Sequence, residues 1–347
     1  MGGTMLTFTR RRRAWFRDRT ALVTGGSRGL GLLIARELAA HGARVAICAR
    51  DGAELARAVE DIRDATGSRV TPFVCDLADT RQVDGLVDAI RKDFGSIDVL
   101  VNNAGIISVA PVESVAPEQF EAAMDVMFLG PMRLTLALVP DMRARGDGRV
   151  VNVTSIGGRI AAPHLLPYDC AKFAAVGFSE GLRAELAGSG VSVTTVVPGL
   201  MRTGSHRAAR FGGQPEKEYA WFAAAASLPL LSMDAERAAR AIVRAAARRR
   251  AELVLTPAAK AAVLAHGIFP ATTVRALALA TRALPDAPAD PQTGSPAGSS
   301  ADGGSGVSAD VPGTVARERG TPAWSRKAAV LGERAARRFN EPGPQGT

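Results

Sequence analysis

From residue 20 onward, short runs of apolar and β-branched residues alternate with longer stretches whose apolar positions recur every three to four residues. That alternation predicts parallel strands joined by crossover helices. Strands are expected at 20–24 (TALVT), 44–49, 70–75, 97–101, 149–154, 192–197 and 252–255. Most are continuously apolar, as strands covered on both faces are. Helices are expected at 29–41, 52–66, 80–94, 117–144, 167–189 and 233–249. The fold class is α/β, a doubly wound parallel sheet of about seven strands.

Other stretches break this rhythm. Residues 200–232 are too long for a plain connection and are expected to form a loop over a substrate. Their readable content is His206, Phe211, Tyr219, Trp221, Phe222, an alanine run at 223–226 and Leu228. Pockets for apolar ligands and lids that merely pack down share that composition. His206 has no partner recognisable in the sequence and reads as a loop histidine. Residues 257–284 keep helical spacing through Val263, Leu264, Ile268, Phe269, Leu277 and Leu284, interrupted by Pro270. This extension is expected to pack on the domain or pair with another subunit, with contact to a membrane surface as the weaker alternative. Proline, glycine, serine and alanine then dominate 285–313, which predicts disorder. The chain thus divides into a basic segment 1–19, an α/β domain 20–256, a helical extension 257–284, a disordered linker 285–322, and a short basic helix and tail 323–347.

Composition narrows the class. Hydrophobic residues make up 47% and charged residues 22%, ordinary for a soluble globular chain with a large core. Aromatics are only 5%, so valine, leucine, isoleucine and alanine must fill that core. Cys48, Cys75 and Cys170 lie far apart without a CxxC pair, which argues against zinc or a disulfide framework and for a reducing cytoplasm. No metal site is expected. The net charge of +9 gathers in 1–19, 233–250 and 314–341 while the remainder nets negative. Such clusters read as solvated faces rather than a nucleic-acid groove. The basic run near the start lacks the apolar stretch of a secretory signal, and the sequence shows no membrane span of ~18 uncharged apolar residues.

The first strand leads directly into TGGSRGLG (24–31) and then a helical pattern. Gly25, Gly29 and Gly31 permit a tight turn and a close backbone approach, while Ser27, Arg28 and Leu30 lie at a helix N-terminus, where free N–H groups attract a pyrophosphate. The second strand ends in Ala49-Arg50. An arginine there suits a 2′-phosphate, whereas an acid suits free ribose hydroxyls. Arg28 and Arg50 together favour NADP(H); Asp51, immediately after, keeps NAD(H) as the second choice.

YDCAK (168–172) uses residue types that the chain otherwise hardly employs. Lysine occurs at five positions and tyrosine only at 168 and 219. Tyr168 and Lys172 are spaced i, i+4, on one helix face. Ser155 ends the fifth strand, on the side where an open parallel sheet binds its ligands. A phenol with a pKa near ~10 becomes an acid–base catalyst at neutral pH when a nearby ammonium stabilises the phenolate.

With these motifs in order, the chain resembles the short-chain dehydrogenase/reductase family over about residues 18–256, which carry TGGSRGLG, Asp76-Leu77, NNAG (102–105), Ser155, YDCAK and PGLMRT (198–203). The resemblance implies a Rossmann fold and hydride exchange between a nicotinamide and an alcohol or carbonyl. It implies that Asp76, beside Leu77, bonds the adenine amine and that Asn103, Ala104 and Gly105 line the cofactor near its ribose. Ser155 would hold the substrate oxygen, and Tyr168 would move its proton. Lys172 would bind the nicotinamide ribose and lower the Tyr168 pKa; Pro198, Gly199 and Thr203 would seat the carboxamide. Relatives carry an asparagine in a V-N-x-x-G stretch; DVMFLG puts Met127 there, and a thioether accepts weakly and cannot donate. The expected function is an NADP(H)-dependent oxidoreductase acting on an apolar small molecule, in the cytoplasm and as a homo-oligomer. The alternative is a catalytically weak NADP-binding sensor or scaffold.

Overall fold

The computed structural model describes residues 14–227, 232–287, 310–320 and 329–341. Its centre is a sheet of β1 (Thr20–Thr24), β2 (Arg44–Ala49), β3 (Val70–Val74), β4 (Val99–Asn102), β5 (Gly148–Val153), β6 (Val191–Val197) and β7 (Glu252–Val254). All pairings are parallel, in the order β7-β6-β5-β4-β1-β2-β3. The order reverses between β1 and β4, so a crevice opens beyond their C-terminal ends. Four motifs emerge around it: the glycine loop after Thr24, NNAG from Asn102, Ser155 two residues after Val153, and Pro198-Gly199 after Val197.

Alternation along each strand divides the core in two. Ala21 and Val23 join Leu33, Ile34, Ile47 and Ile242 on one face, while Leu22 joins Leu86, Ile90, Leu138 and Val193 on the other. The covering helices are α1 (Gly29–Ala40), α2 (Gly52–Thr66), α3 (Thr80–Phe94), α4 (Pro117–Met124), α5 (Gly130–Ala144), α6 (Leu166–Glu185), α7 (Pro215–Ser227) and α8 (Ala235–Ala247). Carboxylate caps start several of them: Asp51 accepts the Glu54 N–H, Asp79 those of Arg81 and Gln82, and Asp234 that of Arg237.

The structure departs from the sequence pattern in four places. A π-helical turn at Asp125–Leu129 separates α4 from α5, where one uniform helix was expected over 117–144. The extension forms α9 (Pro257–Ile268) and α10 (Pro270–Ala280), split at Pro270. It does not pack down on the domain: α9 buries Ala259 alone and α10 buries nothing.

The expected disordered linker 285–322 is corrected over 310–320. Val311-Pro312 pairs with Arg210-Phe211 and leads into α11 (Gly313–Glu318). Val311 and Ala316 bury against Phe211 and Tyr219. A few well-placed apolar contacts override a composition otherwise poor in them. Residues 288–309 and 321–322 lie outside the described set. In the tail, α12 (Val330–Arg338) lies within the stretch 323–347 expected to hold a short basic helix, of which 323–328 and 342–347 lie outside the described residues.

The 200–232 loop holds α7, and its aromatic content is largely core. Phe211, Tyr219 and Phe222 are buried and meet edge to face. They pack on 311–316 rather than lining an open pocket, so of the two alternatives for this composition the packed-down one describes these side chains. Leu228 lies outside the described residues. His206 is also buried, with Nε2 3.3 Å from the Glu333 carboxylate on α12. That partner is distant in sequence, so the reading of His206 as a free loop histidine is corrected.

Candidate active site

Gly25 (φ 62°) and Gly29 (φ 54°) adopt left-handed backbone, which β-carbons disfavour. A Cβ at Gly31 would lie 2.0 Å from the Gly25 carbonyl oxygen. Glycine is therefore demanded at all three positions, and α1 begins on the turn. Asn103 braces the loop: its Nδ2 donates to the Thr24 carbonyl at 3.0 Å, and Thr24 Oγ1 accepts the Asn103 and Ala104 N–H groups. The site fits a dinucleotide through this pocket without side chains at a helix N-terminus.

The two arginines differ. Arg50 is exposed, whereas Arg28 bonds Glu54 at 2.8 Å and faces Glu341 at 3.4 Å. Asp51, the residue that kept NAD(H) open, caps α2 with its carboxylate, and its pKa is held below the usual range chiefly by the Glu54 N–H. Of the residues expected at the adenine, Asp76 Oδ1 accepts the Ala78 N–H at 3.0 Å, and Leu77 is buried.

Ser155, Tyr168 and Lys172 converge. The Ser155 hydroxyl stands near enough to the Tyr168 phenol to favour its ionised form, and Ser155 Oγ accepts the Gly157 N–H at 3.0 Å. Lys172 Nζ donates to the Val153 carbonyl at 3.0 Å and lies 5.7 Å from the Tyr168 ring centroid. Desolvation pushes the Tyr168 phenol up to about 12, with Ser155 opposing and Asp169 adding to the rise. Desolvation brings Lys172 down to about 8. Burial, rather than the expected lowering by lysine, sets the direction of the phenol's shift.

Among the residues expected to seat the carboxamide, the Pro198 carbonyl accepts the Ile156 N–H at 2.8 Å and so joins this segment to the serine loop. Gly199 faces Thr256, and Thr203 Cβ lies 3.8 Å from where a Gly29 Cβ would stand. Glycine loop and PGLMRT segment therefore face one another across the crevice.

Met127 sits in the π-helical turn, buried. A Cβ on Gly105 would lie 3.4 Å from its Sδ and 3.8 Å from Lys172 Nζ, so NNAG, the thioether and the ammonium share one corner. A small cavity beside it is lined by Asn102, Met127, Asn152 and Val153, among others. A polar chain runs behind: Asn102 donates to Asn152 at 2.8 Å, Asn152 to Ser179 at 3.0 Å, and Ser179 meets Thr195 at 2.7 Å.

Sequence reasoning missed Asp169, Glu54 and Glu341. Asp169 is buried, accepts the Ala162 N–H at 2.7 Å, and is raised to about 8 by desolvation. It ties the loop after Ser155 to the helix carrying Tyr168. An acid inside the apolar flank of YDCAK was a usable signal; Glu341, beyond a long polar stretch, gave none. Among the described residues no cluster of histidine, cysteine and carboxylates forms a metal site.

This fold and corner define a class, and the comparisons agree: the profile described as short chain dehydrogenase matches residues 19–211. The chain belongs to the short-chain dehydrogenase/reductase family and is an NAD(P)-dependent oxidoreductase. Among curated relatives, a protein assigned as ketoacyl reductase 1 of the granaticin polyketide synthase of Streptomyces violaceoruber is 38% identical over 185 residues, 53% of this chain and 68% of that protein. Among solved structures, L-sorbose reductase from Gluconobacter frateurii, complexed with NADPH and L-sorbose, aligns with a TM-score of 0.61 and 26% identity, covering 69% of this chain and 95% of that one. Gluconate 5-dehydrogenase from Burkholderia cenocepacia, in complex with NADP and tartrate, gives 0.62 and 29%, covering 72% and 98%.

Proposed function

We propose that the chain is an NADP(H)-dependent reductase or dehydrogenase of a small alcohol or carbonyl compound, with Tyr168 as general acid–base. The convergence of Ser155, Tyr168 and Lys172 at the strand ends carries this reading. The preference for NADP(H) is supported by Arg50 at the end of β2 and by the capping role of Asp51. Both solved relatives described above hold NADP or NADPH.

The dinucleotide would be held by Gly25, Ser27, Gly29, Leu30 and Gly31 at its phosphates, by Arg50 and Arg28 at the 2′-phosphate, and by Asp76 with Leu77 at the adenine. Asn103, Ala104, Gly105, Lys172, Pro198, Gly199 and Thr203 would hold its nicotinamide half. When bound, it supplies or accepts the hydride. Ser155 donates a hydrogen bond to the substrate oxygen and fixes it beside the phenol. Tyr168 gives its proton to a carbonyl oxygen, or takes one from an alcohol. Lys172 stabilises the phenolate that results and holds it ready for reprotonation.

An apolar substrate is favoured by Ile106, Met124 and Val126, partly buried in the cluster that includes Tyr168. Cys48 and Cys75, buried as free thiols, support a reducing cytoplasm. The exposed α9–α10 face supports a homo-oligomer. The test is Tyr168→Phe: with NADPH and a panel of carbonyl compounds, turnover falls by a factor of about 10²–10⁴ while NADPH binding persists. Turnover within twofold of wild type overturns Tyr168 as the acid. The Met127 thioether beside Lys172 favours a second reading, a weakly active NADP-binding sensor; wild type that binds NADPH but oxidises none with any substrate establishes it.

A further inference from the structure

Residues 329–341 run back across the molecule and end on the glycine loop. Glu333 of α12 is their anchor: its carboxylate accepts from Arg207 at 2.7 Å and Tyr219 at 3.1 Å, and faces His206 at 3.3 Å and Arg317 at 3.4 Å. Ala335 and Phe339 enter the core cluster of α1 and α8. The chain then turns through Asn340, with φ 58°, and three consecutive residues meet the loop.

The Phe339 carbonyl accepts the Gly29 N–H at 2.8 Å. Asn340 Nδ2 donates to the Ser27 carbonyl at 2.7 Å and the Glu54 carbonyl at 3.1 Å, while its Oδ1 accepts from Arg57 Nε at 2.9 Å. Glu341 is buried; its Oε1 stands 2.8 Å from where a Gly29 Cβ would be, and its Oε2 3.4 Å from Arg28 Nε. A carboxyl group thus occupies ground suited to an anion: a glycine without a side chain, a helix start and a guanidinium. A dinucleotide pyrophosphate draws on the same glycine and the same helix start. The carboxyl group and the pyrophosphate cannot share them.

We propose that the glycine-loop face binds two alternative ligands, the dinucleotide and the chain's own Phe339-Asn340-Glu341, and that cofactor entry requires this tripeptide to leave. The proposal rests on the dinucleotide reading of the site. Glu333 and Ala335 tether the tripeptide, so its local concentration is high and modest intrinsic affinity suffices for competition. Glu54, whose side chain bonds Ser27 and Arg28, places a second carboxylate nearby and makes the seat easier to vacate. An apparent dissociation constant scales with the inverse of the fraction of open sites.

The test measures NADPH and NADH binding by calorimetry for wild type, Glu341→Ala and Asn340→Ala, together with hydrogen exchange over 335–341. Both variants are expected to bind NADPH about tenfold more tightly than wild type. Saturating NADPH is expected to raise wild-type exchange over 335–341. Affinities within twofold of wild type, or unchanged exchange at saturation, overturn the proposal and leave the dinucleotide reading intact. If NADH binds more tightly than NADPH, the NADP preference fails, and NADH in the exchange arm decides the competition. Binding only after Glu341→Ala supports the proposal; no binding by any variant overturns proposal and reading together.

Discussion

Met127 brings the chemistry of the site down to one side chain. It fills the corner between Gly105 and Lys172 with a group that cannot donate. Met127→Asn places a donor and acceptor there. If proton delivery to Lys172 limits turnover, kcat rises severalfold, read by NADPH oxidation under single-turnover and steady-state conditions; unchanged kcat assigns the relay to other groups. The same variant buries an amide in a smaller volume, so stability falls by about 1–3 kcal/mol in urea titration. At this scale Ser155, Tyr168 and Lys172 were legible, because an i, i+4 spacing and a strand end are local features. Asp169 was only half legible: an acid in an apolar flank marks it, but its burial depends on how the Ala162 loop folds over it.

At the scale of elements, strands and crossover helices followed the hydrophobic period closely, with β1 and α3 at the expected bounds. The π-helical turn at 125–129 was illegible because an inserted residue barely disturbs an apolar period; such turns mark functional sites. The helix pair α9–α10 is the reverse case: helices appeared where periodicity put them, but their partner did not. Leu264, Ile268, Phe269, Val274 and Leu279 are each more than half exposed, an apolar face that a second subunit is expected to cover. Replacing Leu264, Ile268 and Phe269 by serine should lower the molar mass in light scattering to that of one chain of 36.1 kDa. Wild type already at that mass removes the homo-oligomer. Monomer stability should move by only about 0.5 kcal/mol, as for surface positions.

Across the whole molecule, the glycine loop joins residues 313 positions apart, Ser27 and Asn340. No local pattern announces such a contact; it exists because Phe339 has a core to enter and Glu333 a cluster of donors to meet. The contact carries a pH dependence. Desolvation first, then Glu54, push Glu341 from its usual 4.5 up to about 7, against Arg28 and Arg207. A docked carboxyl with a raised pKa favours docking fully below 4.5, and that contribution fades as pH climbs through about 7. Apparent NADPH affinity should therefore improve between pH 5 and pH 8 by more in wild type than in Glu341→Gln. Equal slopes in calorimetric titrations exclude Glu341 as the titrating group.

The cap that Asp51 provides for α2 bears on any attempt to re-engineer coenzyme choice. Freeing that carboxylate to greet unphosphorylated ribose would unstitch the first turn of the helix. A designer seeking an NADH enzyme does better to recruit a fresh acid at position 50 and leave the helix start undisturbed.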